Sequence, residues 1–410
     1  MSESILAVKF NDKVRKIAAT YIFPGNRPPI KNGILICEND GTILEIQNPA
    51  GNLKEKYGLE FYSGILVPGF VNTHCHLELS HLNGKIEEKT GISDFVGAVN
   101  RLRNVEPETI EKEIFKHDRM MHAAGIAAVG DISNSVTSLE SKKKSKIFYH
   151  TFVETFGFHP ARAERAFEIA LSVQNEFRKH GQTASIVPHS AYSVSKPLFD
   201  RIRENVVAEQ SIVSIHNQES RGEAQFFKDG GGSISYHFRH NLGIDVSHWE
   251  PTGKSSLISV LPFLPGKNQL LLIHNTFTEK DDIEFLKKQR SPEKTFWVLC
   301  PNSNLFIENQ LPPISLFREE KLNICLGTDS LASNHQLSVL AEMITLQKHF
   351  PELSLEELVQ WATINGARAL KIENRYGSLE TGKKPGINLI AGIDFKKMKL
   401  TGQSKVKRLV

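Results

Sequence analysis

Eight short, β-branched runs recur along this chain, nearly continuously apolar, each closing on a polar end. They are GILVPGFVNTHCH, GIAAVGDISN, KIFYHTFVET, ASIVPHS, SIVSIHNQE, QLLLIHNTF, KTFWVLCPNSN and NICLGTDS. Such runs suit strands buried on both faces. Helical spacing fills the gaps between them, most clearly at 107–125, 161–180 and 354–370. The second of these stretches ends in basic residues before Gly181, a good stop signal. Strands alternating with helices imply a parallel sheet with right-handed crossovers. Eight such units predict an α/β chain folded as a (β/α)8 TIM-like barrel.

Residues 1–64 break this rhythm. ATYIFP, GILICEND and GTILEIQN read as short strands interrupted by Gly, Asn and Asp, a small antiparallel unit. The tail, 375–410, returns to the same style with GINLIAGID and SKVKRLV. One small β-domain built from both chain ends (1–64 and 375–410) is therefore expected beside a catalytic barrel at 65–374. A length of 410 residues suits that plan better than a single core of about 150 residues.

The net charge of +4, from 50 basic and 46 acidic residues, is too small to argue for a nucleic-acid partner. No apolar stretch approaches the length that spans a membrane. The N-terminal MSESILAVKFNDKVRK brackets its short apolar run with charge, unlike a signal peptide. Cys37, Cys75, Cys300 and Cys325 are scattered, which reads as free thiols in a reducing cytoplasm. The basic tail residues read as a solvated strand face.

The polar ends carry the chemistry. In a barrel, all C-terminal strand ends converge on one mouth. Five runs end in metal-type ligands: His74 and His76 on the first, His189 on the fourth, His216 on the fifth, His274 on the sixth, Asp329 on the eighth. Any one histidine alone is more often structural. Ligand-type residues at one level around a barrel point instead to a metal centre. Three imidazoles and one carboxylate suit a divalent ion, Zn2+ first and Fe2+ as the alternative. Cys75 would face away from His74 and His76, because alternate strand residues do. Glu219 follows His216 by three, just past a strand end, where it can reach over the site and shuttle a proton. The alternative is a helix N-terminal Glu that complements the macrodipole.

PGFVNTHCH (68–76), HNQE (216–219), HN (274–275), CPNSN (300–304) and GTDSLASN (327–334) resemble, in the correct order, the amidohydrolase superfamily and its cytosine-deaminase-like and chlorohydrolase-like branch. The resemblance implies a TIM-like barrel with a β-sandwich from both termini. It implies one divalent metal on His74, His76, His216 and Asp329. His274 would orient the water or the substrate, Glu219 would protonate a ring nitrogen, and Asp329 would take a proton from the water. His189 would contact substrate. Binuclear relatives use a carboxylated lysine at the end of the fourth strand; ASIVPHS has no lysine, which favours a mononuclear site. The family's common ADLI is INLI here (387–390), and HLELS lacks the Met that many deaminase relatives carry after HxH. THCHLELS with HNQESRGEAQFF is similar to the aminodeoxyfutalosine deaminases of menaquinone biosynthesis, which remove ammonia from the adenine-like base of a nucleoside.

The expected reaction is metal-dependent hydrolytic deamination of an adenine-type base. Guanine, adenosine and S-adenosylhomocysteine deaminases, and triazine or chloro-aromatic hydrolases, are the alternatives. A non-catalytic scaffold would have lost ligands, and none is missing. The expected partner is a small aminopurine or related heterocycle; a homodimer is the assembly considered. Two loops are expected to select the substrate. One, at 77–103, carries Glu78, Ser80 and His81. The other, at 220–268, carries Ser220, Arg221, Glu223 and the DGGGS run, a lid or a turn. Glu78 would accept hydrogen bonds from ribose or base, or else brace its loop. Arg221 would pair with a substrate carboxylate, or else lie on the surface.

Overall fold

The computed structural model describes residues 14–54 and 58–410; residues 1–13, most of the stretch read as lacking a signal peptide, lie outside the described residues. Each of the eight apolar runs carries a strand: β1 (Phe70–Cys75), β2 (Ile126–Ser133), β3 (Phe148–Thr155), β4 (Thr183–Pro188), β5 (Val213–Asn217), β6 (Leu270–His274), β7 (Thr295–Leu299) and β8 (Asn323–Leu326). They pair in parallel and in chain order as two four-stranded sheets, β1 to β4 and β5 to β8. Single parallel bridges join the sheets just at their C-terminal ends, Cys75 to Asp329 and Ser190 to His216.

Alternate strand residues fall into two apolar clusters. Val71, Ile132, Phe152, Val187, Leu271 and Val298 belong to one. Phe70, Cys75, Val129, Val153, Ile186 and Leu272 belong to the other, with the helices. Burial on both faces is why the runs lack polar alternation.

The first run divides between two sheets. Leu59–Pro68 pairs with the terminal strands, and the chain enters β1 across Gly69. A Cβ at Gly69 would lie 2.4 Å from the Pro385 carbonyl oxygen and 2.6 Å from Ala127 Cβ, so only glycine lets the chain cross there.

Both chain ends do share one β unit. Strands Val14–Ile22, Ile30–Lys31, Ile34–Glu38, Ile43–Gln47, Leu59–Pro68, Ile387–Ala391 and Lys405–Arg408 form a single seven-stranded sheet. The expectation of a purely antiparallel unit is corrected: Val14–Ile22 and Leu59–Pro68 run parallel. A two-layer sandwich is likewise not what the ladders describe; the pairings form one sheet.

The helix expected at 161–180 spans Ala163–Lys179, and that at 107–125 spans Pro107–Ala123. The stretch 354–370 is two helices, Leu355–Ala362 and Ile364–Ala369, broken at Thr363. The two expected loops are largely helical. Ile92–Leu102 occupies the first, and Arg221–Asp229, Gly232–Tyr236, a π-turn at His237–Asn241 and Ser256–Val260 occupy the second. DGGGS is the turn between two of these helices, with Gly230 in the left-handed region at φ 76°. No helix among the described residues is long and apolar enough to cross a membrane.

Candidate active site

The C-terminal strand ends bring His74, His76, His216, His274, Asp329 and Glu219 together. His76 Nε2 is 3.3 Å from His216 Nε2. Asp329 Oδ1 lies 3.5 Å from His74 Nε2 and 3.4 Å from His76 Nε2. Glu219 Oε1 lies 3.4 Å from His274 Nε2. His189 joins the group at ring contact with His216, centroids 4.9 Å apart.

The backbone is bent to achieve this. His274, Asn275 and Asp329 all hold positive φ, at 73°, 59° and 55°. Each such non-glycine residue costs on the order of 1–3 kcal/mol and persists only where neighbours over-determine it. The neighbours are visible. Asn275 Nδ2 donates to the Leu272 carbonyl at 2.7 Å and Asn217 Nδ2 donates to Asn275 Oδ1 at 3.0 Å. The amides of Thr328 and Asp329 both donate to the His74 carbonyl, at 3.0 and 3.1 Å. Gly327 permits that approach, since a Cβ there would sit 2.8 Å from His74 Cβ.

Electrostatics divides the site into two kinds of group. Burial lowers the pKa values of His74, His76 and His274 to about 3, so these imidazoles are neutral. Burial also works to raise the Asp329 carboxyl, but the close approach of His74, His76 and His274 outweighs it, leaving the group well below the carboxylate range. Ser303 and Ser333 add to this by donating to Asp329 Oδ2 at 2.6 and 2.5 Å. Glu219 goes the other way. Burial, then the nearby Asp329 and Glu223, push its carboxyl well above the usual range. Paired groups driven in opposite directions are the pattern of an acid and a base.

The donor set fits a divalent cation. His216 Nδ1 lies 2.8 Å from the His189 carbonyl, which fixes the proton there and leaves a lone pair on Nε2. That lone pair converges with His76 Nε2. Both ring nitrogens of His74 are buried without any hydrogen-bond partner among the described residues. Such orphaned, neutral nitrogens beside an ionised carboxylate are costly unless a cation accepts them.

A cavity of about 600 Å3 opens onto the cluster, lined by His76, His189, His216, Glu219, His274 and Asp329. Its outer walls are apolar, with Phe95, Val99, Phe156, Phe158 and Phe238.

The expected substrate contacts separate here. His189 lines the cavity. Ser80, His81, Ser220 and Arg221 are not part of its lining, and their side chains are engaged elsewhere. Ser80 Oγ donates to the Leu77 carbonyl at 2.7 Å, closing its own turn. His81 Nε2 pairs with the Arg103 carbonyl at 3.1 Å. Ser220 caps the helix Arg221–Asp229, its Oγ accepting from the Glu223 amide at 3.1 Å. Arg221 is exposed, donates to Gln310 Oε1 at 3.0 Å and stacks over Phe277. Glu78 sits behind the wall: Oε1 takes Arg103 Nη2 at 3.3 Å, Oε2 takes the Asn134 amide at 3.1 Å. It is a brace, and its carboxyl is raised to about 7, chiefly by burial.

Several site residues escaped the sequence reading. Glu154, at the end of β3, puts Oε1 3.4 Å from His216 Nδ1 and receives Asn134 Nδ2 on Oε2 at 3.1 Å. The run KIFYHTFVET ends on this carboxyl, so the strand-end rule could have flagged it. Glu223, which the sequence placed with Ser220 and Arg221 in the 220–268 segment expected to select the substrate, instead accepts from the amides of Gln218 and Glu219 at 3.0 and 3.1 Å.

Comparison with known proteins places this geometry. The profile of the amidohydrolase family matches residues 65–409. The chain belongs to the amidohydrolase family. This amidohydrolase is a hydrolase acting on C–N bonds. It is 26% identical over 333 residues to the adenosine deaminase of Helicobacter pylori, covering 80% of this chain and 79% of that protein. The crystal structure of Helicobacter pylori aminofutalosine deaminase in complex with methylthio-coformycin superposes with a TM-score of 0.81 at 23% identity, covering 97% of this amidohydrolase and 100% of that chain. An adenosine deaminase from Xanthomonas campestris with bound zinc superposes with a TM-score of 0.71 at 19% identity, covering 94% and 86%.

Proposed function

We propose that this amidohydrolase is a metal-dependent deaminase that removes ammonia from the adenine-type base of a nucleoside. The observation that carries this reading is the convergence of His74, His76, His216 and Asp329 with Glu219, 3.4 Å from His274, at the floor of one cavity; the raised Glu219 and lowered Asp329 carboxyls agree with it. The relatives named for adenosine and aminofutalosine support the same substrate class. The strand order and the two closing bridges support a (β/α)8 barrel at 65–374, with the β unit at 1–64 and 375–410 as its companion.

His74, His76, His216 and Asp329 would hold one divalent ion, Zn2+ by choice of ligands. When bound, it supplies Lewis acidity that makes water a nucleophile near neutral pH. The remaining chemistry belongs to side chains. Glu219, kept protonated by burial, donates its proton to ring N1, which makes C6 electrophilic. Asp329 Oδ1 accepts a proton from the attacking water, while Ser303 and Ser333 hold Oδ2 still. His274 Nε2 pairs with Glu219 and fixes its carboxyl. The tetrahedral carbon then expels the amino group as ammonia, carrying the proton from Asp329, while the C6 hydroxyl returns its proton to Glu219 and becomes the ring carbonyl.

The test is an ammonia-release panel of adenosine, 5′-methylthioadenosine, S-adenosylhomocysteine and aminodeoxyfutalosine, with metal content measured on the same sample. Release from at least one nucleoside by metal-loaded protein is expected. Silence across the panel with metal bound overturns the reading.

A further inference from the structure

Arg103 stands on the wall of the catalytic cavity with most of its hydrogen-bonding capacity unused. Its side chain is 30% exposed, and only Nη2 has partners: Glu78 Oε1 at 3.3 Å and Asn134 Oδ1 at 3.4 Å. Both contacts are long for charge-assisted bonds. Among the described residues, Nε and Nη1 donate to nothing. The backbone is fixed at both ends: the Arg103 amide donates to Val99 at the end of helix Ile92–Leu102, and the Arg103 carbonyl holds His81. The guanidinium is thus anchored on one edge and open on the other.

The surroundings make that open edge informative. Phe95, Val99 and Phe156 line the same cavity as Arg103, together with the polar Asn100, His159, Arg162 and Asp245. A guanidinium in such a setting selects a planar acceptor that takes two parallel bonds, above all a carboxylate. Adenine offers no anion, and ribose offers only hydroxyls. The cavity holds about 600 Å3.

We infer that Arg103 is a specificity residue that binds a carboxylate carried on the 5′ substituent of the nucleoside, with Glu78 and Asn134 holding its inner edge. This rests on the deaminase reading above and assigns to Arg103 the carboxylate contact that the sequence suggested for Arg221.

The experiment compares two probes that differ in one group: 5′-methylthioadenosine and its 5′-(2-carboxyethyl)thio counterpart. Ammonia release gives kcat/KM for each, with wild type, Arg103→Met and Arg103→Lys. Wild type should favour the acid by at least about 10-fold, and the acid-to-neutral ratio should fall about 10- to 100-fold in Arg103→Met, carried by KM. Arg103→Lys, which keeps charge but loses the planar fork, should lie between. The ratio is internal to each protein, so partial loss of folded enzyme cancels. A wild-type enzyme indifferent to the carboxylate, or a ratio unchanged in both variants, overturns the inference and leaves the deaminase reading standing. Wild type that releases ammonia from neither probe, nor from any nucleoside of the panel above, overturns the deaminase reading and the inference with it.

Discussion

Glu219 Oε1 lies 3.4 Å from His274 Nε2, and both side chains are buried. The two come from different strand ends, and neither is charged in its resting form: burial raises the carboxyl and depresses the imidazole. A neutral acid held by a neutral base is poised to release one proton to a bound ring. Replacing Glu219 by Gln keeps the shape and removes that proton. We expect kcat to fall about 10²- to 10⁴-fold with metal content unchanged. A metal-loaded Glu219→Gln enzyme with near wild-type turnover removes Glu219 from the mechanism.

His74 is the least replaceable ligand candidate, because both its nitrogens are buried and orphaned. His74→Ala should bring zinc well below one ion per chain by elemental analysis. Added zinc should also stabilise metal-free wild type, by about 2.7 kcal/mol at a hundredfold excess over Kd, and leave the variant's Tm unmoved. Stoichiometric zinc in the variant would exclude His74 from the ligand set.

Lys142 and Asp131 form a wholly buried ion pair, with Nζ 2.6 Å from Oδ2. Asp131 Oδ1 also accepts the Leu77 amide at 2.8 Å, one residue beyond His76. Removing one partner strands the other. Lys142→Met should therefore cost about 3–5 kcal/mol in urea unfolding, and the double variant with Asp131→Asn should recover much of that loss. Equal stability of single variant and wild type would show that the pair contributes nothing net.

Acid should destabilise the fold partly through His150, far from the catalytic cluster. Burial, then the charges of Lys371 and Arg178, bring its pKa from 6.5 to about 3. Between those values the unfolded chain takes up a proton that the folded chain refuses. Its contribution is thus intact above pH 6.5 and lost as pH falls toward 3. His150→Gln should flatten the stability slope in that window by up to about 1.4 kcal/mol per pH unit. It should also cost about 1 kcal/mol at pH 7, because the bond to Ser185 Oγ at 2.9 Å is weakened. An unchanged acid slope would mean that His150 is not held neutral.

Much of the architecture is legible because burial writes itself into composition. Strands covered on both faces can tolerate few polar residues until they end, so β1 to β8 stand out as runs, and His74, His76, His216 and His274 stand out at their ends. Thr363 interrupts an unbroken helical pattern, and nothing local forecasts it; the break belongs to the packing of two helices on β1 and β8. The terminal strands are too short and too interrupted for their pairing to be read, so the parallel partnership of Val14–Ile22 with Leu59–Pro68 was out of reach.

The sequence by itself determined which residue types meet at the strand ends, because the strand period and the apolar runs leave few other places for them. Only the tertiary structure decided which polar side chains face the cavity. Ser80, His81, Ser220 and Arg221 sit beside the ligands in sequence, yet their partners are a turn carbonyl, the Arg103 backbone, a helix amide and Gln310. Arg103 and Glu154 stand away from any motif, yet the packing of helix Ile92–Leu102 and the end of β3 places both on the cavity wall. Sequence neighbours share a backbone, but a side chain's direction is set by what packs against it from elsewhere in the chain.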